Sequence, residues 1–119
     1  MEIPKEQRIQ LSPAGYKKIC ELVDKRASYN GFVACEMCGV NQNAVAAFHH
    51  HHICFRSAYG GDTLENLILL CDRCHAKAHG VEEKSFQKMC LERMNDGYSS
   101  LFNAFYQKNA QSIYEKHRK

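Results

Sequence analysis

A chain of 119 residues with a formal net charge of +3 is long enough for one domain and too short for two ordinary ones. So mild a charge excludes a protein built only to coat nucleic acid, while leaving a nucleic-acid partner open. No stretch approaches the roughly 20 apolar residues of a membrane span, and the opening MEIPKEQRIQ has no apolar core of an export signal; a cytoplasmic location without a membrane partner is expected.

In chain order, Ser12-Pro13 reads as a helix N-cap followed by proline at the first helical position. Tyr16, Ile19, Leu22 and Val23 then recur at helical spacing, so an amphipathic helix is expected over about 13–28, stopped by Asn30-Gly31. Its Lys17, Lys18, Lys25 and Arg26 are expected on the solvated face. Cys35-Glu-Met-Cys38-Gly39 reads as a turn that aims two sulfurs at one point. A strand is expected over 48–53 despite its four histidines, a loop at Gly60-Gly61-Asp62 with Asp62 or Thr63 capping a short turn, and a second strand over 67–70. Residues 74–79 read as the start of a helix closed by Gly80. Further helices are expected over about 81–95, broken by Asn95-Asp96-Gly97, and over about 99–117, with Ser99 or Ser100 as the cap. The expected architecture is α+β: a core at 32–80 with an N-terminal helix and two C-terminal helices, all in one domain spanning 1–119.

The seven cysteines are an odd number, and four of them form two C-x-x-C pairs, Cys35/Cys38 and Cys71/Cys74. Two such pairs supply four soft ligands, the donor set for a tetrahedral structural zinc, with iron as the sulfur-loving competitor. Cys20, Cys54 and Cys90 stand alone and are expected to be buried small hydrophobes. Histidine makes the second cluster. His75 and His79 are four apart, hence on one face of a helix, the spacing for two imidazoles on one ion. A third ligand is expected from the run His49-His50-His51-His52, whose side chains alternate between the two faces of a strand. Three protein ligands leave coordination positions open, as a catalytic ion requires. The same residues also admit a second reading, a non-catalytic double-zinc module that binds nucleic acid or protein.

Residues 48–80, FHHHHICFRSAYGGDTLENLILLCDRCHAKAHG, together with the upstream C-x-x-C, resemble the HNH endonuclease family, in particular its branch whose ββα-metal motif is held by a Cys₄ zinc. The features that carry the resemblance are H-H-I followed by R-S and G-G, N-L before an apolar strand, and C-x-x-C-H-x-x-x-H. The resemblance implies a metal-dependent DNA endonuclease that leaves 5′-phosphate and 3′-hydroxyl ends. It makes His51, His75 and His79 the ligands of a catalytic divalent ion (Mg, Mn, Ni, Co or Zn). His52 becomes the general base, Asn66 the brace of the loop between the strands, and Arg56 a phosphate contact. A one-residue slip would instead make His50 the ligand and His51 the base, and His49 has no role in either register. The family usually has Pro where Phe55 stands, a difference expected to touch only loop stiffness. Small phage-encoded nucleases of this kind have a similar size, which would place the protein in a host cytoplasm. The partners implied are DNA and, for the C-terminal helices, either the core itself, a dimer mate, or a packaging or targeting protein.

Overall fold

The computed structural model describes residues 9–29, 31–44, 47–55, 60–80, 83–96 and 100–119. The N-cap signal at Ser12 is realised. Ser12 is extended (φ −60°, ψ 161°), its hydroxyl accepts from the Gly15 amide, and helix α1 runs Pro13–Arg26. Its buried face carries Ile19, Cys20, Leu22 and Val23. A short hairpin that the sequence reading did not anticipate follows, β1 Ser28–Tyr29 against β2 Phe32–Val33, with Gly31 at φ 83° in the turn. Positive φ suits glycine, so Gly31, expected to stop the helix, instead turns the hairpin, while α1 already ends at Arg26 with Ala27 as its cap.

The centre of the molecule is an antiparallel pair, β3 Phe48–His52 and β4 Leu67–Cys71, in which His51 faces Ile68 and His52 faces Leu67. β4 is buried along its whole length because it separates two cores. Leu67 and Leu69 pack with Ile19, Leu22 and Val23 of α1 and with Ala110 and Tyr114 of the last helix. Ile68 and Leu70 face the other way, onto Cys35, Cys74, Ala78, Phe86 and Cys90. A strand with apolar layers on both faces needs apolar residues at every position, which is why LILL is a continuous run rather than an alternation.

Helix α2 (Asp72–Ala78) leaves β4 without a connecting loop, with Cys71 itself at the N-cap position. It thus starts two residues earlier than the sequence reading placed it, and both cysteines of the second pair fall at the strand-to-helix junction. Helices α3 (Glu83–Asp96) and α4 (Ser100–His117) complete the chain. Phe86 and Cys90 of α3 enter the second core, and Ala110 and Tyr114 of α4 enter the first. The Tyr114 hydroxyl accepts from the Leu64 amide at 3.0 Å, and burial raises its pKa. Among the described residues no helix is long and apolar enough to cross a membrane.

One expectation about α1 is overturned. Arg26 is not solvated; it is 8% exposed and forms a bidentate pair with Glu36, Nε to Oε2 and Nη2 to Oε1, both at 2.8 Å. Its guanidinium also donates to the carbonyls of Leu64 and Leu67, and Glu36 Oε1 accepts from the Leu69 amide. The Glu36 amide donates back to the Leu69 carbonyl. Glu36 therefore closes the edge of β4 that faces away from β3, and Arg26 fastens α1 and the Cys35–Cys38 turn to that edge. Such a planar fork suits arginine, and every buried charge here has partners. Truncating one partner strands the other in the core, so R26A is expected to lose about 3–5 kcal/mol in urea unfolding. A wild-type unfolding midpoint would contradict this structural role.

Candidate active site and metal centres

The Cys35–Cys38 turn is built by backbone bonds: the Cys35 amide donates to the Val40 carbonyl and the Gly39 amide to the Cys35 carbonyl, each at 2.9 Å. Docked on β4 through Glu36, the turn brings Cys35 and Cys38 to Cys71 and Cys74, and all four sulfurs lie within 4.8 Å of one another. A tetrahedral ion with sulfur bonds of about 2.3 Å sets its sulfurs about 3.8 Å apart; Cys38 Sγ and Cys71 Sγ stand 3.7 Å apart. The donors, their number and their spacing fit zinc. At Cys35 burial works against the thiolate, but the backbone amides of Cys38, Cys71 and Met37 more than offset it and the pKa is lowered. At Cys38 and Cys74 burial dominates, neighbouring sulfur adds to it, and the pKa is raised. A cation at the centre would offset the repulsion among deprotonated sulfurs. Cys20, Cys54 and Cys90 are buried and are not among these four sulfurs; Cys90 lies in the same core as Cys35 and Cys74, and burial pushes its pKa up to about 12.

The second cluster forms on the face of β3 that looks toward α2. His51, His75 and His79 each offer a nitrogen, and these nitrogens lie within 4.8 Å of one another. His75 Nε2 and His79 Nε2 are 3.2 Å apart, near the roughly 3.4 Å that tetrahedral nitrogens hold at bond lengths of about 2.0–2.1 Å. His51 is 6% exposed, and burial, then His79 and His75, lower its pKa to about 4. It therefore stays neutral, the form in which imidazole binds a metal. His75 is lowered in the same direction by burial and by its imidazole neighbours His49 and His79. These three donors fit a divalent transition ion and leave positions for water or substrate.

Two neighbours shape this cluster. The Phe55 ring stacks on His79 at 5.3 Å and meets His51 edge-on at 5.8 Å. Phe55 thus packs against two of the imidazoles rather than acting on loop stiffness alone. His49 stacks on His75 at 4.2 Å and is held by Asp72 through a 2.7 Å hydrogen bond.

On the opposite face of β3, His50 pairs with Asp24 of α1 at 2.7 Å. His52 lies against Tyr16 of α1, with nearly parallel rings 5.8 Å apart, and its Nε2 is 2.8 Å from Asp62 Oδ1. Asp62 is 2% exposed, and its other oxygen accepts from the Leu11 amide at 3.0 Å. The sequence reading considered Asp62 only as a turn cap. The signal that could have singled it out is a carboxylate beside Gly60-Gly61, close behind the histidine run.

Asn66 is buried beneath the loop that joins the strands. Its Oδ1 accepts from the Cys54 amide, and its Nδ2 donates to the carbonyls of Cys54 and Gly61, all at 2.8–3.0 Å. Its own carbonyl accepts from the Ile53 amide. The two ends of the loop are therefore tied to one side chain. At Gly60 a Cβ would run into the Cys54 carbonyl, so this crossing admits glycine alone. Arg56 lies outside the described residues.

The hairpin and helix form a ββα unit with a four-cysteine cluster at one end and a three-histidine cluster at the other, each of which could hold a metal ion. The family model described as HNH endonuclease matches residues 35–80, the stretch that begins at Cys35 and contains all seven candidate ligands. No curated protein and no solved structure matched the chain.

Proposed function

We propose that the protein is a metal-dependent endonuclease that hydrolyses DNA phosphodiester bonds. The observation that carries this reading is the convergence of His51, His75 and His79, from a strand and a helix, within the segment that matches the HNH endonuclease family. The four cysteines would hold a structural zinc that joins the Cys35–Cys38 turn to the strand-to-helix junction. The three histidines would hold the catalytic ion. Bound there, a divalent cation would offset the charge that develops on the phosphate and on the leaving oxygen.

The chain supplies the remaining chemistry. His52 accepts a proton from the attacking water, whose oxygen bonds to phosphorus as the bond from phosphorus to the 3′ oxygen breaks. The departing 3′ oxygen takes a proton from solvent, leaving 5′-phosphate and 3′-hydroxyl ends. Asn66 holds the loop whose first residues follow His52, and so limits where the base sits. Arg56, two residues beyond Cys54, is assigned to a phosphate on the family resemblance. A closed double-zinc module would need a fourth donor at the histidine cluster, and among the described residues the group has three members. That count favours the enzyme over the binding module.

The reading is tested on end-labelled duplex DNA and on RNA of the same sequence, each with a divalent ion and with chelator. Metal-dependent cuts in the duplex that religate without end repair are expected, since ligation needs a 5′ phosphate and a 3′ hydroxyl. One site cuts one strand at a time, so nicks are expected from a monomer and paired cuts from a dimer. Cleavage of RNA alone, or of neither substrate, would overturn the assignment.

A further inference from the structure

Asp62 is chemically placed to do more than end a turn. Its carboxylate is buried, and each oxygen meets a different nitrogen: Oδ2 the Leu11 amide at 3.0 Å, Oδ1 the His52 Nε2 at 2.8 Å. A backbone N–H can only donate, so the first contact fixes one oxygen as an acceptor. An ionised carboxylate accepts at both oxygens, so Nε2 must carry the imidazole proton. The lone pair of His52 is then on Nδ1, which has no hydrogen-bond partner among the described residues.

We infer that Asp62 is the positioning residue of the nuclease. It holds His52 as the Nε2–H tautomer, so that Nδ1 is the atom that takes the proton from water. The inference rests on the nuclease reading and adds to it the basic atom and the group that selects it. The imidazolium formed when Nδ1 takes that proton is balanced by the Asp62 carboxylate, with no further proton moved. The inference also gives the N-terminal flank a task in the chemistry, although that flank lies outside the family match. The Leu11 amide holds Oδ2, and the Asp62 amide donates to the Ile9 carbonyl. That segment is itself tied to the end of α4, through Ser12 to the His117 carbonyl and Lys119 to the Gln10 carbonyl. Tyr16 of α1 lies beside the His52 ring, nearly parallel to it. Both flanks thus form the wall behind the base.

The decisive substitution is D62N, because an amide has one oxygen to share between two sites. The Leu11 amide needs an acceptor, so the Asn oxygen turns to it and the NH₂ turns to His52. Nε2 must then accept, and the imidazole proton moves to Nδ1. A base held in the wrong tautomer loses the contribution of general base catalysis, about 10²–10⁴-fold.

The test combines ¹⁵N–¹H correlation of the His52 ring with single-turnover cleavage of a DNA duplex, both on the full metal-loaded chain. Wild-type protein is expected to show protonated Nε2 and bare Nδ1. D62N is expected to show the reverse, with a kcat lower by about 10²–10⁴-fold, an unchanged KM, full metal content and a similar melting temperature. Wild-type protein with protonated Nδ1 overturns the inference whether or not D62N folds. So does a D62N protein that cleaves at the wild-type rate. Wild-type protein that shows the Nε2–H tautomer but cleaves no DNA removes the nuclease reading and leaves the tautomer assignment standing.

Discussion

H52A is expected to hold both metals and to lose DNA cleavage by about 10²–10⁴-fold, the usual contribution of a positioned general base. The imidazole is the one histidine side chain of the run that meets a buried carboxylate at the end of β3, and it does not share the face of the three candidate ligands. Its removal should therefore spare the ion. The substitution also leaves the Asp62 carboxylate with the Leu11 amide but without its imidazole donor. Losing a hydrogen bond to a buried charged group costs about 1.5–3 kcal/mol, so H52A should melt earlier than wild type while still folding. H52Q separates the two effects, since its amide can still donate to Asp62 but cannot act as a base near neutral pH. Equal loss of cleavage in both variants, with stability restored in H52Q, is the expected pattern. Full cleavage by H52A would deny His52 the role of base.

C71A is expected to unfold. Cys71 ends the buried strand β4, stands at the N-cap position of α2 and is one of four sulfurs within 4.8 Å of each other. Structural zinc sites in small domains contribute about 10–16 kcal/mol to folding, against a typical total stability of about 5–15 kcal/mol. Losing one ligand of four removes much of that contribution and frees the Cys35–Cys38 turn from the junction it clamps. Circular dichroism and zinc content measure the outcome: a flat or greatly lowered melt with sub-stoichiometric zinc is expected. A C71A protein that melts like wild type would deny the cluster its structural role.

What could be read from the sequence follows from how local each signal is. Two C-x-x-C pairs state their chemistry by spacing alone, and the four cysteines do come together. Ser12-Pro13 and the Ile19, Leu22, Val23 period are local too, and α1 begins and buries as they direct. The hidden features are contacts between distant segments. Arg26 looks like any cation at a helix end until Glu36, across a hairpin, is brought beneath it. Asp62 reads as a turn residue because its partners Leu11 and His52 come from two other parts of the chain. The hairpin β1–β2 has two residues per strand, too few to show any alternation. The early start of α2 was missed because strand and helix meet at Cys71 with no turn residue between them.

If one metal site is structural and the other catalytic, metal add-back to stripped protein separates the two. Protein that retains the tightly held Cys₄ zinc but has lost the histidine-bound ion would be mixed with supercoiled plasmid, and Mg, Mn, Ni, Co or Zn restored one at a time. No cleavage is expected without added ion, and nicked or linear plasmid is expected with at least one ion, lost again in H52A. Folded, zinc-bearing protein that cleaves with none of the five ions would contradict that expectation and favour the binding module.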